Sequence, residues 1–561
     1  VIGLNALSNQ DLLARMYNEG HEIGNHTFSH PDISEVSDFR LKHELSFTQR
    51  IIQDVTGRST LLFRPPGGLN SYSLDTEDYI PLWKTQELGY TVIANSIDPK
   101  DWEDPTVEEI YQKVMDQLPE GNVILLHDSG GNRENTVEAL PLIIEELKNQ
   151  GYEFVTVSNL VGKSRDEIMP AVESSDSYLI LYTKSAMVIV FTVLRFMGYV
   201  FLITTFLGAL RLLSLIVLSK KQHRRVRRND MDTSYKPPVS IVIAAFNEEK
   251  VIVSTVMSVL ESSYKDLEVI VVNDGSTDDT SRVVEDVFRN DPRVVLLEKE
   301  NGGKSTALNM GFKKASREIV VAFDADTVVN NEAISLMVRH FSDETVGAVS
   351  GNVKVGNVHN LLTKWQYIEY VIGFNLERRA FAELKCITVV PGAIGAWRKE
   401  YVAECGYYTT DTLAEDTDMT IKLLRKGYAV RYEENALAYT EAPGDLKSLM
   451  KQRYRWSYGI LQALWKHRDM MFSSEHKTLG FIALPNMWLF QYILQTLSPL
   501  ADVIFILGLF SDRAPIFITY YLGLLLLDYV TAIYAFRLEK VNVGILVWLF
   551  LQRIIYRSLM V

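Results

Sequence analysis

"REIVVAFDAD", Arg317 to Asp326, decides the fold: an apolar, β-branched run closes on two aspartates separated by one residue. Such a run reads as a strand buried on both faces, and carboxylates two positions apart in extended chain point the same way. Asp324 and Asp326 can therefore approach one hard, oxygen-loving divalent cation and a diphosphate together. Working outward, "VSIVIAAF" (Val239 to Phe246) and "LEVIVVND" (Leu267 to Asp274) repeat the pattern, each running into Asn or Asp. Open α/β sheets bind ligands at the carboxyl ends of such strands, so residues 237–470 are expected to form a nucleotide-binding α/β domain. "NDGSTDDT", from Asn273, adds a glycine turn and a helix start whose amides favour phosphate. "GGKST", Gly302 to Thr306, invites a phosphate-loop reading, but that motif needs a glycine where Glu298 stands, which disfavours a Walker ATPase.

The flanks have a different character. From Tyr178 to Leu218 the chain is almost continuously apolar, with Lys184, Arg195 and Arg211 as its full charges. A bilayer needs about 20 such residues, and Gly198 and Gly208 are weak breakers, so residues 178–219 are expected to cross once. Six Lys or Arg then fall within nine residues, Lys220 to Arg228. Positive loops stay in the cytoplasm, which places the preceding residues outside and the following ones inside. A second apolar block, residues 479–561, is divided by "SDRAP" (Ser511 to Pro515) and "RLEK" (Arg537 to Lys540) and suggests about three further crossings. The whole reads as a multidomain α/β membrane protein.

The chain has 561 residues and a formal charge of −13, which argues against nucleic acid as a partner. Two cysteines, Cys386 and Cys405, allow neither a disulfide framework nor a cysteine-based zinc site. The first residue is Val1 and the last stretch is apolar, so the expectation is a chain truncated at both ends.

Two more motifs complete the central domain. "LAEDTDM" sets Glu415 beside Asp416, and "QRYRWSYG" sets Gln452, Arg455 and Trp456 on a helix just before the second apolar block. Read singly, the first could be helix-dipole partners and the second a basic amphipathic helix on the membrane. In order, Asn247-Glu248, Asp274-Gly275, Gly302-Gly303-Lys304, Asp324-x-Asp326, Glu415-Asp416 and Gln452-x-x-Arg455-Trp456, followed by apolar spans, resemble the processive family 2 glycosyltransferases. Cellulose, chitin, hyaluronan and poly-N-acetylglucosamine synthases are members. The resemblance implies a GT-A fold, a UDP-sugar donor, a growing polysaccharide as acceptor, and Mg2+ or Mn2+. It implies that Asp274 and Lys304 contact the nucleotide and that Asp324 and Asp326 hold diphosphate and metal. Glu415 would bind substrate, and Asp416 would be the general base. Gln452, Arg455 and Trp456 would grip the diphosphate and the acceptor end.

At the other end, "HEIGNHTFSH" places His26 and His30 four apart, a spacing that fits one helical face or turn and could serve one metal. "FRPPGG" (Phe63 to Gly68), "DPKDW" (Asp98 to Trp102) and "ILLHDSG" (Ile124 to Gly130) follow in order. Together they resemble the polysaccharide deacetylases of carbohydrate esterase family 4 across residues 1–165. That resemblance implies a distorted (β/α) barrel and Zn2+ or a similar divalent metal, with His26 and His30 as ligands. Arg64 would brace a catalytic aspartate, Gly67 would offer an oxyanion amide, and Asp101 would tune His127, the general acid. Trp102 and Leu126 would line the acetyl pocket. The family's first motif, an aspartate pair, is expected before Val1, which leaves two of the three metal ligands.

The combined reading is a bacterial, multi-pass plasma-membrane polysaccharide synthase contacting lipid, with a cytoplasmic transferase and an extracellular N-deacetylase. A deacetylase partner points to UDP-N-acetylglucosamine as donor. The alternative is a hyaluronan- or cellulose-like synthase with a non-catalytic carbohydrate-binding outer domain.

Overall fold

The computed structural model describes residues 1–68, 76–173, 177–228, 234–509, 514–556, 559 and 560. The chain divides into two compact units, Val1–Phe196 and Met197–Val561. Their boundary falls within one continuous helix, Ser177–Arg228.

In the first unit, β1 (Leu62–Phe63) pairs in parallel with β2 (Thr91–Val92). Parallel bridges join Asn25 to Phe63 and Ile97 to Ile124. This is the inner wall of the expected barrel, reduced to short contacts. Among the described residues its buried apolar side chains pack as three clusters, one around Ile23, Ile52 and Leu62, one around Ile33, Leu45 and Phe63, and one around Ile97, Ile110, Val114 and Ile143 beneath the helices Val107–Gln117 and Glu134–Asn149.

In the second unit an eight-stranded sheet is built from β3 (Val239–Ala245), β4 (Leu267–Asn273), β5 (Val294–Glu298), β6 (Ile319–Asp324), β7 (Val328–Val329), β8 (Val346–Val355), β9 (Gly395–Arg398) and β10 (Ala429–Thr440). Their order is β5-β4-β3-β6-β9-β8-β10-β7. The first four are parallel; β3, β4 and β6 are buried on both faces, as their β-branched runs require, while β5 at the sheet edge is half-buried. Ala244 is level with Asp324, and Ala245 with Asn273, so the polar ends of β3, β4 and β6 share one sheet edge. This is a GT-A fold.

Among the described residues three helices are long and apolar enough to cross a membrane: Arg195–Val226, Leu479–Leu509 and Ala514–Leu538. Within Ser177–Arg228, Gly198 and Gly208 leave the helix unbroken, because an isolated glycine costs only about 1 kcal/mol against alanine. Arg211, inside the first of the three, is not left bare: it bonds Glu377 and Asn486, each at 3.0 Å. The third C-terminal apolar run is a shorter helical stretch, Val543–Tyr556, below the roughly 20 residues a crossing needs. Of the two dividers, "SDRAP" has its first three residues outside the described ones. "RLEK" carries Glu539 into the second unit's interior, where it pairs with Lys354 of β8 and, at 2.7 Å, with Arg379 of the helix Leu376–Glu383.

Candidate functional site

A cavity of about 560 Å³ lies against the polar edge of β6, and its walls bring together most of the residues expected in the central domain. Lys304, Asp324, Asp326, Glu415 and Asp416 line it together with Gln452, Arg455 and Trp456.

Asp274 is placed outside this lining. Its carboxylate accepts hydrogen bonds from the Gly302 and Gly303 amides at 3.0 and 2.8 Å and pairs with Lys299. It holds the Gly302–Gly303 turn and is not among the cavity-lining residues. Gly275, next to it, has φ +69°, and a Cβ there would lie 2.6 Å from the Asn301 amide nitrogen, so only glycine lets the two turns meet.

Lys304 opens the helix Lys304–Lys314 and reaches across the cavity floor. Its ammonium pairs with Asp324 and stands 3.6 Å from Glu415 Oε1. Burial works against its charge, but Asp324, Glu415 and Asp416 outweigh burial and keep it protonated. Gly392 makes room for this group: a Cβ there would lie 2.4 Å from Lys304 Nζ.

The carboxylates crowd one another. Burial, then the Asp324 charge, pushes Asp326 up to about 6. Burial, then Glu415, pushes Asp416 up to about 6. Burial, then Asp326 and Asp324, lifts Glu248 to about 7. A site that holds negative charge at this cost is suited to a cation. The donor set is oxygen alone, which selects a hard ion of the Mg2+ or Mn2+ kind. Among the described residues no three His, Cys, Asp or Glu converge as a full cage, and Mg2+ commonly takes one or two carboxylates and completes its shell with substrate phosphate and water.

Asp416 sits in the first turn of the helix Glu415–Arg425, where Thr417 N donates to its Oδ1 at 2.7 Å. The helix Leu446–Lys466 carries Gln452, Arg455 and Trp456 to the same cavity. Trp456 meets Phe374 edge to face at 5.9 Å, and the Arg453 guanidinium lies 4.5 Å from the Trp456 ring while bonding Glu369 at 2.6 Å. Tyr370, Phe374, Arg378 and Gly392 also line the cavity. None of them stands in a motif; Arg378 alone has a sequence signal, the polar interruption "ERR" in an apolar stretch.

In the first unit the expected residues follow the carboxyl ends of the parallel segments. His26 follows Asn25, Arg64 follows Phe63, and Asp101 and His127 follow the Ile97–Ile124 bridge. His26 and His30 lie on a loop rather than a helix, because Thr27 and His30 have left-handed φ of 63° and 59°. Their rings still meet edge to face at 4.8 Å. Burial lowers the His26 imidazole to about 4, and its Nδ1 lies 2.7 Å from Arg64 O, leaving Nε2 for another partner. Glu44, which no motif marks, accepts from Phe28 N, Ser29 N and Ser29 Oγ at 2.8, 2.7 and 2.7 Å and so fixes this loop. Arg64 donates to Asn95 at 2.8 Å and to Ile93 O at 3.2 Å. Buried Asp101 bonds His127 through both ring Nδ1 (2.7 Å) and backbone N (2.8 Å), and also takes Thr136 Oγ1 at 3.1 Å. Gly67 has φ 77°, Trp102 is exposed and Leu126 is half-buried.

Residues 237–459 match the family described as glycosyltransferase like family 2, and residues 1–93 match polysaccharide deacetylase. The chain carries a family 2-like glycosyltransferase domain and a polysaccharide deacetylase domain. The glycosyltransferase part is similar to the poly-beta-1,6-N-acetyl-D-glucosamine synthase of Staphylococcus aureus (strain COL), 33% identical over 256 residues, which are 46% of this chain and 61% of that protein. The synthase of Staphylococcus epidermidis is 34% identical over 255 residues, 44% of this chain and 59% of that one. The chain thus spans about three-fifths of the length of these curated relatives. Among solved structures, a mannosyltransferase from Pyrobaculum calidifontis in complex with GDP-Man and Mn2+ matches with 21% identity and TM-score 0.47, over 61% of this chain and 96% of that one. Peptidoglycan deacetylase PdaC from Bacillus subtilis matches with 34% identity and TM-score 0.25, over 29% of this chain and 74% of that one.

Proposed function

We propose that this chain is a membrane polysaccharide synthase that transfers N-acetylglucosamine from UDP-N-acetylglucosamine to the end of a growing β-linked chain. One observation carries the reading: Lys304, Asp324, Asp326, Asp416, Arg455 and Trp456 line a single cavity beside apolar helices. The Asp416 carboxylate takes the proton of the acceptor hydroxyl as that oxygen attacks the anomeric carbon from the face opposite UDP, which inverts the centre. Lys304 and Arg455 offset charge on the departing diphosphate, and Trp456 offers the acceptor sugar a flat apolar face. Asp324 and Asp326 would hold Mg2+ or Mn2+, which would supply further charge neutralisation there. Asp274 acts through the Gly302–Gly303 turn, shaping the nucleotide end. The sequence similarity to synthases of poly-beta-1,6-N-acetyl-D-glucosamine supports this sugar.

The basic run Lys220 to Arg228 supports a cytoplasmic transferase and an outer deacetylase domain, with the polymer passing out through the C-terminal helices. There, the buried Asp101 carboxylate orients His127; as the oxygen of a water bonds the acetyl carbon and the C–N bond breaks, His127 donates a proton to the leaving amine, giving acetate and a free amino sugar. His26 and His30 suit Zn2+ as donors, but among the described residues no third His, Cys, Asp or Glu joins them, so no metal step is derived.

The deciding experiment incubates membranes containing the protein with labelled UDP-N-acetylglucosamine. High-molecular-weight product from this donor alone is expected; product that appears only when a UDP-uronic acid is added would favour the hyaluronan-like reading.

A further inference from the structure

The helix Leu376–Glu383 places two adjacent arginines in opposite duties. Arg379 points away from the cavity and closes ion pairs on Glu434 and Glu539. That pairing fixes the helix and therefore its neighbour. Arg378 lines the cavity, its guanidinium 5.9 Å from the Phe374 ring, which in turn meets Trp456.

Among the described residues that line the cavity, two buried polar side-chain atoms have no protein partner: Arg378 Nη1 and Gln452 Oε1. One can only donate and the other can only accept. Buried groups left this way are rare in folded proteins, and each costs roughly 1–3 kcal/mol unless something pairs with it. A sugar hydroxyl both donates and accepts, so a neutral sugar in this cavity has the chemistry to pair with either atom. A diphosphate would satisfy the arginine and be repelled by the Gln452 oxygen. The diphosphate end of the cavity already has Lys304, and the aspartates Asp324 and Asp326 lie there. Burial depresses the Arg378 guanidinium, partly offset by Tyr432 and Asp416, which marks an arginine held away from water without a full counter-charge.

We propose that Arg378 binds the terminal sugar of the acceptor chain, donating from Nη1 to one of its oxygens while Gln452 accepts from its hydroxyl and Trp456 supports its face. This inference rests on the synthase reading and adds a specificity residue to it. Arg378 thereby sets which acceptor end is held against Asp416, and leaves donor binding to Lys304, Asp324 and Asp326.

The test uses the whole protein in detergent or membranes, with Arg378→Met and Arg378→Lys beside the parent. Polymer synthesis, the KM for UDP-N-acetylglucosamine, the Kd for UDP with Mn2+, and the concentration of added N-acetylglucosamine oligosaccharide giving half-maximal rate are measured. For a charge-assisted bond, Arg378→Met should raise the half-saturating oligosaccharide concentration about 10-fold or more while UDP affinity and donor KM stay put. Arg378→Lys should recover part of the loss. A parent-like oligosaccharide dependence in Arg378→Met, or a loss of UDP affinity in step with polymer yield, overturns the assignment while leaving the synthase reading intact. A parent that makes no polymer overturns both.

Discussion

Lys304 Nζ stands 3.6 Å from Glu415 Oε1 while also pairing with Asp324, so one ammonium ties the helix of the proposed base to the end of β6. The charge of Lys304 opposes the burial and the Glu415 repulsion that raise Asp416 to about 6. A base works only when deprotonated, so polymerisation should rise as pH passes upward through about 6 and level off above it. In Lys304→Met the opposing charge is gone, the Asp416 proton is held more tightly, and the acid limb should move to higher pH. A pH profile of polymer formation checks this; an unmoved limb in Lys304→Met would separate Lys304 from Asp416.

Asp416→Asn is nearly isosteric and removes the proton acceptor. UDP binding should persist, whereas synthesis should fall by about 10²-fold or more. Asp326→Ala should act the other way round, weakening UDP binding specifically in the presence of Mn2+. Equilibrium binding and polymer assays on the two variants distinguish these roles, and near-parental turnover in Asp416→Asn would remove the base assignment.

The strands of the transferase domain were legible because runs such as Ile319 to Phe323 are apolar on both faces, a pattern surface loops do not show. Their common edge followed, since each run ends in Asn or Asp. The long helix Ser177–Arg228 was also readable, because nothing in it stops a helix. What the sequence could not reveal is pairing over distance. Arg379 and Glu539 lie 160 positions apart, and each looks alone like an ordinary surface charge. Asp274 was expected at the nucleotide, but its role toward the Gly302 and Gly303 amides depends on two loops meeting. The His26–His30 turn differs from a helical face because Thr27 and His30 take left-handed backbone, which spacing does not encode.

Burial raises the Glu539 carboxyl, but the charges of Arg379 and Lys354, with hydrogen bonds from Lys354 and Asn352, outweigh it and hold the group below the usual range. Glu539→Gln leaves two buried cations under-compensated and should destabilise the protein by about 3 kcal/mol or more. Thermal unfolding in detergent should show a lower midpoint. An unchanged midpoint would mean that this network contributes specificity rather than stability.

The charge run Lys220 to Arg228 predicts an orientation that can be tested directly. Asn132 and Asn290 are both exposed, one in each unit. In intact cells, a cysteine at position 132 should react with an impermeant thiol reagent and one at position 290 should not. Labelling at both would place both domains outside and end the synthesis-then-export order.

Deacetylation should follow export, because the donor is cytoplasmic and the Asp101–His127 pair belongs to the proposed outer domain. His127→Ala removes the proton donor, and Asp101→Asn replaces the carboxylate that accepts from His127 Nδ1 and N, at 2.7 and 2.8 Å, with an amide. Neither residue belongs to the transferase domain, so polymer yield should be unchanged in both variants. Free-amine content of the exported polymer should fall, more completely in His127→Ala than in Asp101→Asn, since the latter still carries the imidazole. Amine titration of purified polymer reads the difference. Equal amine content in the parent and His127→Ala would mean that the outer domain binds carbohydrate without hydrolysing it.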